Sequence, residues 1–265
     1  MEKVSKVKAK RNLKKSVLEA VNLVGGFKKI INPGEVVLLK PNFNTADPPP
    51  ASSSLDFIKA VTELVYDCGA KIVMVGESST MSYNTRKIMK KAGLFELENM
   101  ERPPRIYVFD ERKWIKKMIP NSQYLRSVAV TEFLERADKL ILLPNLKTHS
   151  YAQFTGSLKL SMGLMKPSQR VGWHLRNLQE KIAEFNKLIR PHLIIMDARK
   201  CFINKGPAEG ATREPGFILA STDRVAIDVE GIKIIQQFPN SSLENIDPLE
   251  ITQIKKAIEY GIGNV

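Results

Sequence analysis

Cysteine is scarce: Cys68 and Cys201 are the only two in 265 residues. Two thiols build no disulfide framework, and an iron–sulfur cluster normally takes four thiolates, so no such cluster is expected. Both cysteines read as small buried hydrophobes in a reducing cytoplasm. No apolar run reaches the roughly 18–20 residues of a membrane helix, so no membrane association is expected. The basic stretch from Lys3 to Lys15 has no apolar segment of signal-peptide type behind it, which argues against secretion. Aromatic residues make up 7% of the chain, thin for a platform that stacks nucleic-acid bases. Helix-turn-helix spacing, zinc-finger spacing and an aromatic RNP-type strand are all missing.

What the chain does have is positive charge, a net +13. The densest run is Lys3, Lys6, Lys8, Lys10, Arg11, Lys14 and Lys15, with no acid among them. Such a surplus raises affinity for nucleic acid, anionic membranes and acidic substrates alike. With no nucleic-acid motif beside it, nucleic acid is disfavoured as the partner. An anionic small molecule is preferred.

Strand and helix patterns alternate almost from end to end. Apolar strands are expected at 36–40, 71–75, 105–109, 139–143, 193–196 and 217–220. Between them fall helices at 13–25, 55–68, 85–92, 131–137, about 174–189, 225–236 and 249–259. Near-continuous apolar strands of this kind belong to a mostly parallel sheet covered by helices on both faces, an α/β fold. Residues 94–130, with Pro103-Pro104 and Trp114, interrupt the pattern as a short insertion carrying an antiparallel ribbon. The reading is one α/β domain over 1–265. Ser54 is expected to cap helix 55–68, Gly69 to stop it, and Asp223 to cap helix 225–236.

Polar residues gather where the buried strands end. Strand 36–40 runs into Lys40 and Asn42, strand 139–143 into Asn145, Lys147 and His149, and strand 193–196 into Asp197. In open α/β sheets the crevice beyond the carboxyl ends of the strands is where ligands bind. Asn42, His149 and Asp197 are therefore expected on one edge of the sheet, in one cleft. The small residues of Thr155–Gly163 would let backbone approach a ligand, with Lys159 aimed into the same space. His174 opens the long helix and can reach back toward the cleft. Asp228 lies in an apolar helix; it faces the site or binds a partner, because burying it unpaired is expensive.

Gly76-Glu77-Ser78-Ser79 follows a strand, either as a plain turn or as backbone N–H groups offered to a phosphate. It is no P-loop, and no G-x-G-x-x-G follows the first strand. Gly206-Pro207-Ala208-Glu209-Gly210 is a tight turn or a lid.

As an enzyme, Lys40, Lys147 and Lys159 would hold a phosphate or carboxylate, with Asn42, Asn145 and Asp228 as further ligand-binding residues. His149 or His174 would move a proton, and Asp197 would orient the histidine or a metal. A divalent metal on His149, His174 and Asp197 is chemically acceptable, although no H-E-x-x-H spacing supports it.

Several of these segments together resemble the domain of unknown function 362 family. They are Lys40-Pro41-Asn42, Pro144-Asn145-Leu146-Lys147-Thr148-His149, Thr155-Gly156-x-Leu158-Lys159, Gly163, His174, Asp197, Gly206-Pro207 with Gly210, and Ala220-Ser221-Thr222-Asp223-x-Val225-Ala226-x-Asp228. Gly261-Ile262-Gly263 resembles the family's usual end, so the likeness covers roughly 35–263. Many relatives attach a ferredoxin-like module with cysteine-rich cluster motifs, which implies redox work for them; this chain carries no such motif. It also has Leu160 where the family commonly has asparagine. At greater distance the chain is similar to nickel-pincer lactate racemases, with lysines and histidines in a cleft between α/β lobes. Two rivals to an enzyme stay in view: a carrier module presenting a cofactor to a ferredoxin-type redox partner, which the resemblance suggests, and nucleic-acid binding, which the basic surface suggests.

Overall fold

The computed structural model describes residues 3–173 and 176–265, so His174 lies outside the described residues. The strands are β1 (Val4–Lys8), β2 (Val36–Lys40), β3 (Ile72–Glu77), β4 (Arg105–Val108), β5 (Trp114–Met118) and β6 (Ser127–Thr131). They continue with β7 (Lys139–Leu142), β8 (Asn145–His149), β9 (Gln153–Thr155), β10 (Leu193–Phe202), β11 (Thr212–Arg213) and β12 (Phe217–Ser221). The main sheet runs β1-β12-β10-β7-β2-β3-β4. From β10 to β4 every neighbouring pair is parallel, while β12 and β1 close the other edge antiparallel. The fold is α/β with a mixed, mostly parallel sheet.

Side chains alternate across a strand, so each central strand feeds two cores. Val37 and Leu39 pack on one face with Ile141 and Ile195, against the helices Leu13–Leu23 and Leu55–Asp67. Leu38, Leu140, Leu142, Ile194 and Met196 pack on the other with residues of the helices Leu178–Phe185, Arg224–Gln236 and Thr252–Glu259. Burial on both faces is why these strands read as unbroken apolar runs. Among the described residues, no helix is long and apolar enough to cross a membrane.

Four features differ from the sequence reading. The basic N-terminus contains β1, whose Ser5 and Val7 turn inward while Lys6 and Lys8 stay exposed. Its charge run is neutralised locally: Lys6 pairs with Glu230, Lys10 with Glu19, and Lys14 with Glu63 and Asp67. Second, β4 belongs to the main sheet, and the antiparallel ribbon of the interrupted stretch is β5–β6. Third, Asn145–His149 is a strand rather than a loop. It continues beyond β7 along β10, with Asp197 opposite Asn145 and Phe202 opposite Lys147. Fourth, Ser54 stands at the helix N-cap position without a capping bond, its hydroxyl turned to Asp197 and Arg199 instead. Asp223 does cap, accepting from the N–H groups of Val225 and Ala226.

Candidate functional site

A cleft of about 280 Å³ opens beyond the carboxyl ends of β2 and β3 and along β8, walled by Lys40, Glu77, Lys147, His149, Lys159 and Arg170. β2 and β3 are parallel neighbours, so the last residues of both emerge at the same edge. Lys40 and Glu77 meet there in an ion pair of 2.6 Å with at most 2% of either side chain exposed. The ammonium also donates to the Pro41 carbonyl at 2.7 Å. Glu77 accepts from the N–H groups of Phe43 and Ser78 at 2.7 and 2.8 Å. Burial pushes the Lys40 ammonium below its ordinary pKa and Glu77 pulls it back. Gly163 lies over the pair: a β-carbon there would stand 2.6 Å from Lys40 Nζ and 3.0 Å from Glu77 Oε1.

Lys147, Asn42 and Asn145 share a different task. Lys147 Nζ and Asn42 Nδ2 both donate to the Ala51 carbonyl, at 2.5 and 3.3 Å. Asn145 Nδ2 donates to the Ser52 carbonyl at 3.2 Å, and its Oδ1 accepts from the Ser53 hydroxyl. Together they fasten residues 51–53 across the start of β8. Lys147 and Asn42 still line the cleft, whereas Asn145 faces a second one.

Lys147 and His149 alternate on β8 and so point to one face. His149 Nδ1 accepts from the N–H groups of Tyr151 and Ala152, both at 3.1 Å. A nitrogen used as acceptor carries no proton, which assigns the proton of the neutral ring to Nε2.

Two basic neighbours complete the wall. Arg170, which the sequence reading missed, is buried and donates to the carbonyls of Ser78, Ser79 and Met165 and to the Ser78 hydroxyl. Lys159 is half-buried on the turn Ser157–Leu160. Desolvation, then the charge of Arg170, holds its pKa down to about 8. Desolvation, then the charge of Lys159, holds Lys147 down to about 7. Burial likewise lowers Arg170 to about 10, against the pull of Glu77 and Asp110.

These values imply a pH dependence. The folded pKa of Lys147 lies below its unfolded value, so between about pH 7 and 10 the unfolded chain binds more protons and stability rises with pH. The Lys147 contribution across that window is on the order of a few kcal/mol. Urea unfolding from about pH 6 to 10 should therefore give a rising profile that is flatter in Lys147→Met. Parallel profiles for the two proteins would mean that Lys147 is charged and solvated.

The remaining sequence candidates fall elsewhere. Asp197 sits within β10 rather than at a strand end and lines the second cleft. Its oxygens accept from the Arg199 N–H, from Arg199 Nε and Nη2, and from the Ser54 hydroxyl. The expected convergence of Asn42, His149 and Asp197 in one cleft therefore fails at Asp197, because Arg199, two residues on, captures the carboxylate. Asp228 does not line the lysine cleft either. It is fully buried, with Oδ1 accepting from Ser157 N–H at 2.6 Å and Oδ2 from Leu158 N–H at 3.0 Å. Burial pushes this carboxyl up to about 7, against those two bonds. The close approach made possible at Gly156 is thus to Asp228, whose Oδ1 would stand 2.3 Å from a β-carbon there.

The Gly76–Ser79 turn offers its carbonyls to Arg170 instead of N–H groups to a phosphate. The N–H groups of Ser78 and Ser79 are engaged by Glu77 and Thr85. In the other loop, Pro207 lines the cleft, and Gly206, at φ 42°, abuts the Thr148 carbonyl, where a side chain would collide. Among the described residues, no three His, Cys, Asp or Glu side chains are placed to share a metal ion. Glu77 had a signal in the sequence, an acid ending an apolar strand as Lys40 ends its own. Arg170 had none, since its short helix carries no motif.

Comparison with known proteins gives three findings. A thylakoid-associated protein from Synechocystis sp. is 28% identical over 224 residues, covering 82% of this chain and 68% of that one. The lactate racemase apoprotein from Thermoanaerobacterium thermosaccharolyticum aligns with a TM-score of 0.49 at 13% identity. That alignment covers 86% of this chain, which spans 57% of the racemase. Residues 37–233 match the model described as Domain of unknown function (DUF362). That match takes in Lys40, Glu77, Lys147, His149, Lys159, Arg170, Asp197 and Asp228, and the chain belongs to the DUF362 family.

Proposed function

We propose that the protein is an enzyme that binds a small phosphate- or carboxylate-bearing metabolite between Lys147, Lys159 and His149, with His149 Nε2–H as a hydrogen-bond donor to it. One observation carries this reading: the cleft has an excess of buried cations. Glu77 is the one carboxylate on its described walls and is paired with Lys40, so the cations Lys40, Lys147, Lys159 and Arg170 share this space with a single wall carboxylate. Like charges gathered in a desolvated space disfavour ionisation, and an entering anion relieves that cost. Lys147 has a single carbonyl acceptor and keeps further N–H donors for a ligand. The Nε2–H assignment gives His149 a hydrogen-bond donor for the bound anion.

Thermal-shift titrations with phosphate, sulfate and small carboxylates test the binding. Saturable stabilisation of the wild type is expected. Lys147→Met and Lys159→Met should each weaken anion binding by about 1–3 kcal/mol, the scale of a charge-assisted hydrogen bond. Equal stabilisation of all three proteins would place the anions on the general basic surface and end this reading. A carrier module would bind the same anions and turn none over.

A further inference from the structure

Four cations wall the cleft, and three have acceptors of their own. Lys40 has Glu77 and the Pro41 carbonyl, Lys147 the Ala51 carbonyl, and Arg170 the carbonyls of Ser78, Ser79 and Met165. Among the described residues, no acceptor and no carboxylate reaches Lys159 Nζ, although its side chain opens into the cleft. An ammonium there gains no bond from the protein and is opposed by burial and by the charge of Arg170. A neutral amine meets no such opposition. A desolvated lysine beside another cation is the arrangement that activates an amine as a nucleophile.

We propose that Lys159 forms an imine with the carbonyl carbon of a small oxo acid held in this cleft. This rests on the anion-binding reading above and narrows it to anions that also carry a carbonyl. The acid group would lie against Lys147, whose remaining N–H donors face the same space. The Lys159 nitrogen lone pair makes the new C–N bond, and one amine proton passes to the carbonyl oxygen to give a carbinolamine. That hydroxyl then leaves as water with the second amine proton, transferred through solvent, while His149 Nε2–H donates a hydrogen bond to the departing oxygen. Amine and carbonyl become imine and water, with no oxidant or reductant. The cleft volume of about 280 Å³ suits a molecule of a few carbons. Availability of the free amine supports the step: at pH 7 an ordinary lysine is neutral in about one molecule in 2,500. A lysine at about 8 is neutral in about one in ten.

The experiment incubates the full chain with pyruvate or glyoxylate and sodium cyanoborohydride, followed by intact-mass measurement and peptide mapping. The expected result is one adduct on Lys159, formed on the order of 100-fold faster than adducts on surface lysines, the ratio of free amine. Its rate should rise toward about pH 8 and then level. Acetone, which has the carbonyl without the acid, should label Lys159 no faster than the surface. Lys159→Arg keeps a cation for anion binding but cannot form the adduct. Labelling spread over surface lysines, at equal rates in wild type and Lys159→Arg, would overturn the proposal. Should anions still stabilise the wild type in that case, the binding reading stands and only the covalent step falls; loss of both removes both. If Lys159→Arg fails to fold, the mapped position of the wild-type adduct decides alone.

Discussion

Glu77→Gln is expected to destabilise the protein by about 3–5 kcal/mol near neutral pH, the cost of leaving one member of a buried ion pair unpaired. Lys40 is 1% exposed, and among the described residues no other carboxylate pairs with it. Glutamine keeps the shape of Glu77, so the loss reports charge rather than volume. The stranded ammonium can escape by giving up its proton, so the deficit should shrink as pH rises. A double variant, Lys40→Met with Glu77→Gln, removes both charges and should recover most of the stability. Gly163→Ala should destabilise in the same direction, because its β-carbon would enter the space of Lys40 Nζ and Glu77 Oε1. Urea unfolding of the four proteins measures all of this. A Glu77→Gln cost below about 1 kcal/mol would mean that the pair does not hold the ends of β2 and β3 together.

Asp228→Ala is the second large effect, expected at about 2–5 kcal/mol. Its carboxylate accepts from two buried backbone N–H groups, Ser157 and Leu158, and leaving each unsatisfied costs about 1–3 kcal/mol. Part of that is offset because burial already disfavours the ionised carboxylate. Gly156→Ala should be similarly damaging, since the added carbon would stand 2.3 Å from Asp228 Oδ1 and 2.4 Å from the Phe154 ring. Asp228 is a positioning residue on this account: the turn it anchors carries Lys159. Anion stabilisation in thermal-shift titrations should therefore weaken in folded Asp228→Ala, although Asp228 is absent from the cleft wall. Full retention of anion binding would confine Asp228 to the stability of the fold.

The sheet was legible because its information is local. Val36–Leu39, Leu140–Leu143 and Leu193–Met196 are apolar at every position, and only a strand covered on both faces requires that. The ends of those strands were legible too, since a lysine or amide after such a run has to leave the core. Lys40, Asn42, Lys147 and His149 were found in this way and Lys159 from the small residues around it, and all five line one cleft. β1 was hidden by its composition: buried Ser5 and Val7 alternate with exposed Lys6 and Lys8, and an edge strand with one wet face reads as a charge run.

What the sequence determined by itself was which segments are buried and where each one surfaces, because periodicity and apolar content act through neighbours in the chain. Tertiary structure decided the partners. Asp197 was read into the cleft, yet Arg199 holds it in another, where the same guanidinium also pairs with Asp56 of the helix Leu55–Asp67. Asp228 was read as a ligand group, yet it anchors a turn 70 residues earlier. Glu77 and Arg170 entered the site through strand register and the return of a distant helix to the Ser78 and Ser79 carbonyls. A charge carries no record in its own sequence of which counter-charge it will meet. That choice is made by segments far apart in the chain, once packing has set them side by side and removed the water that would have served either one.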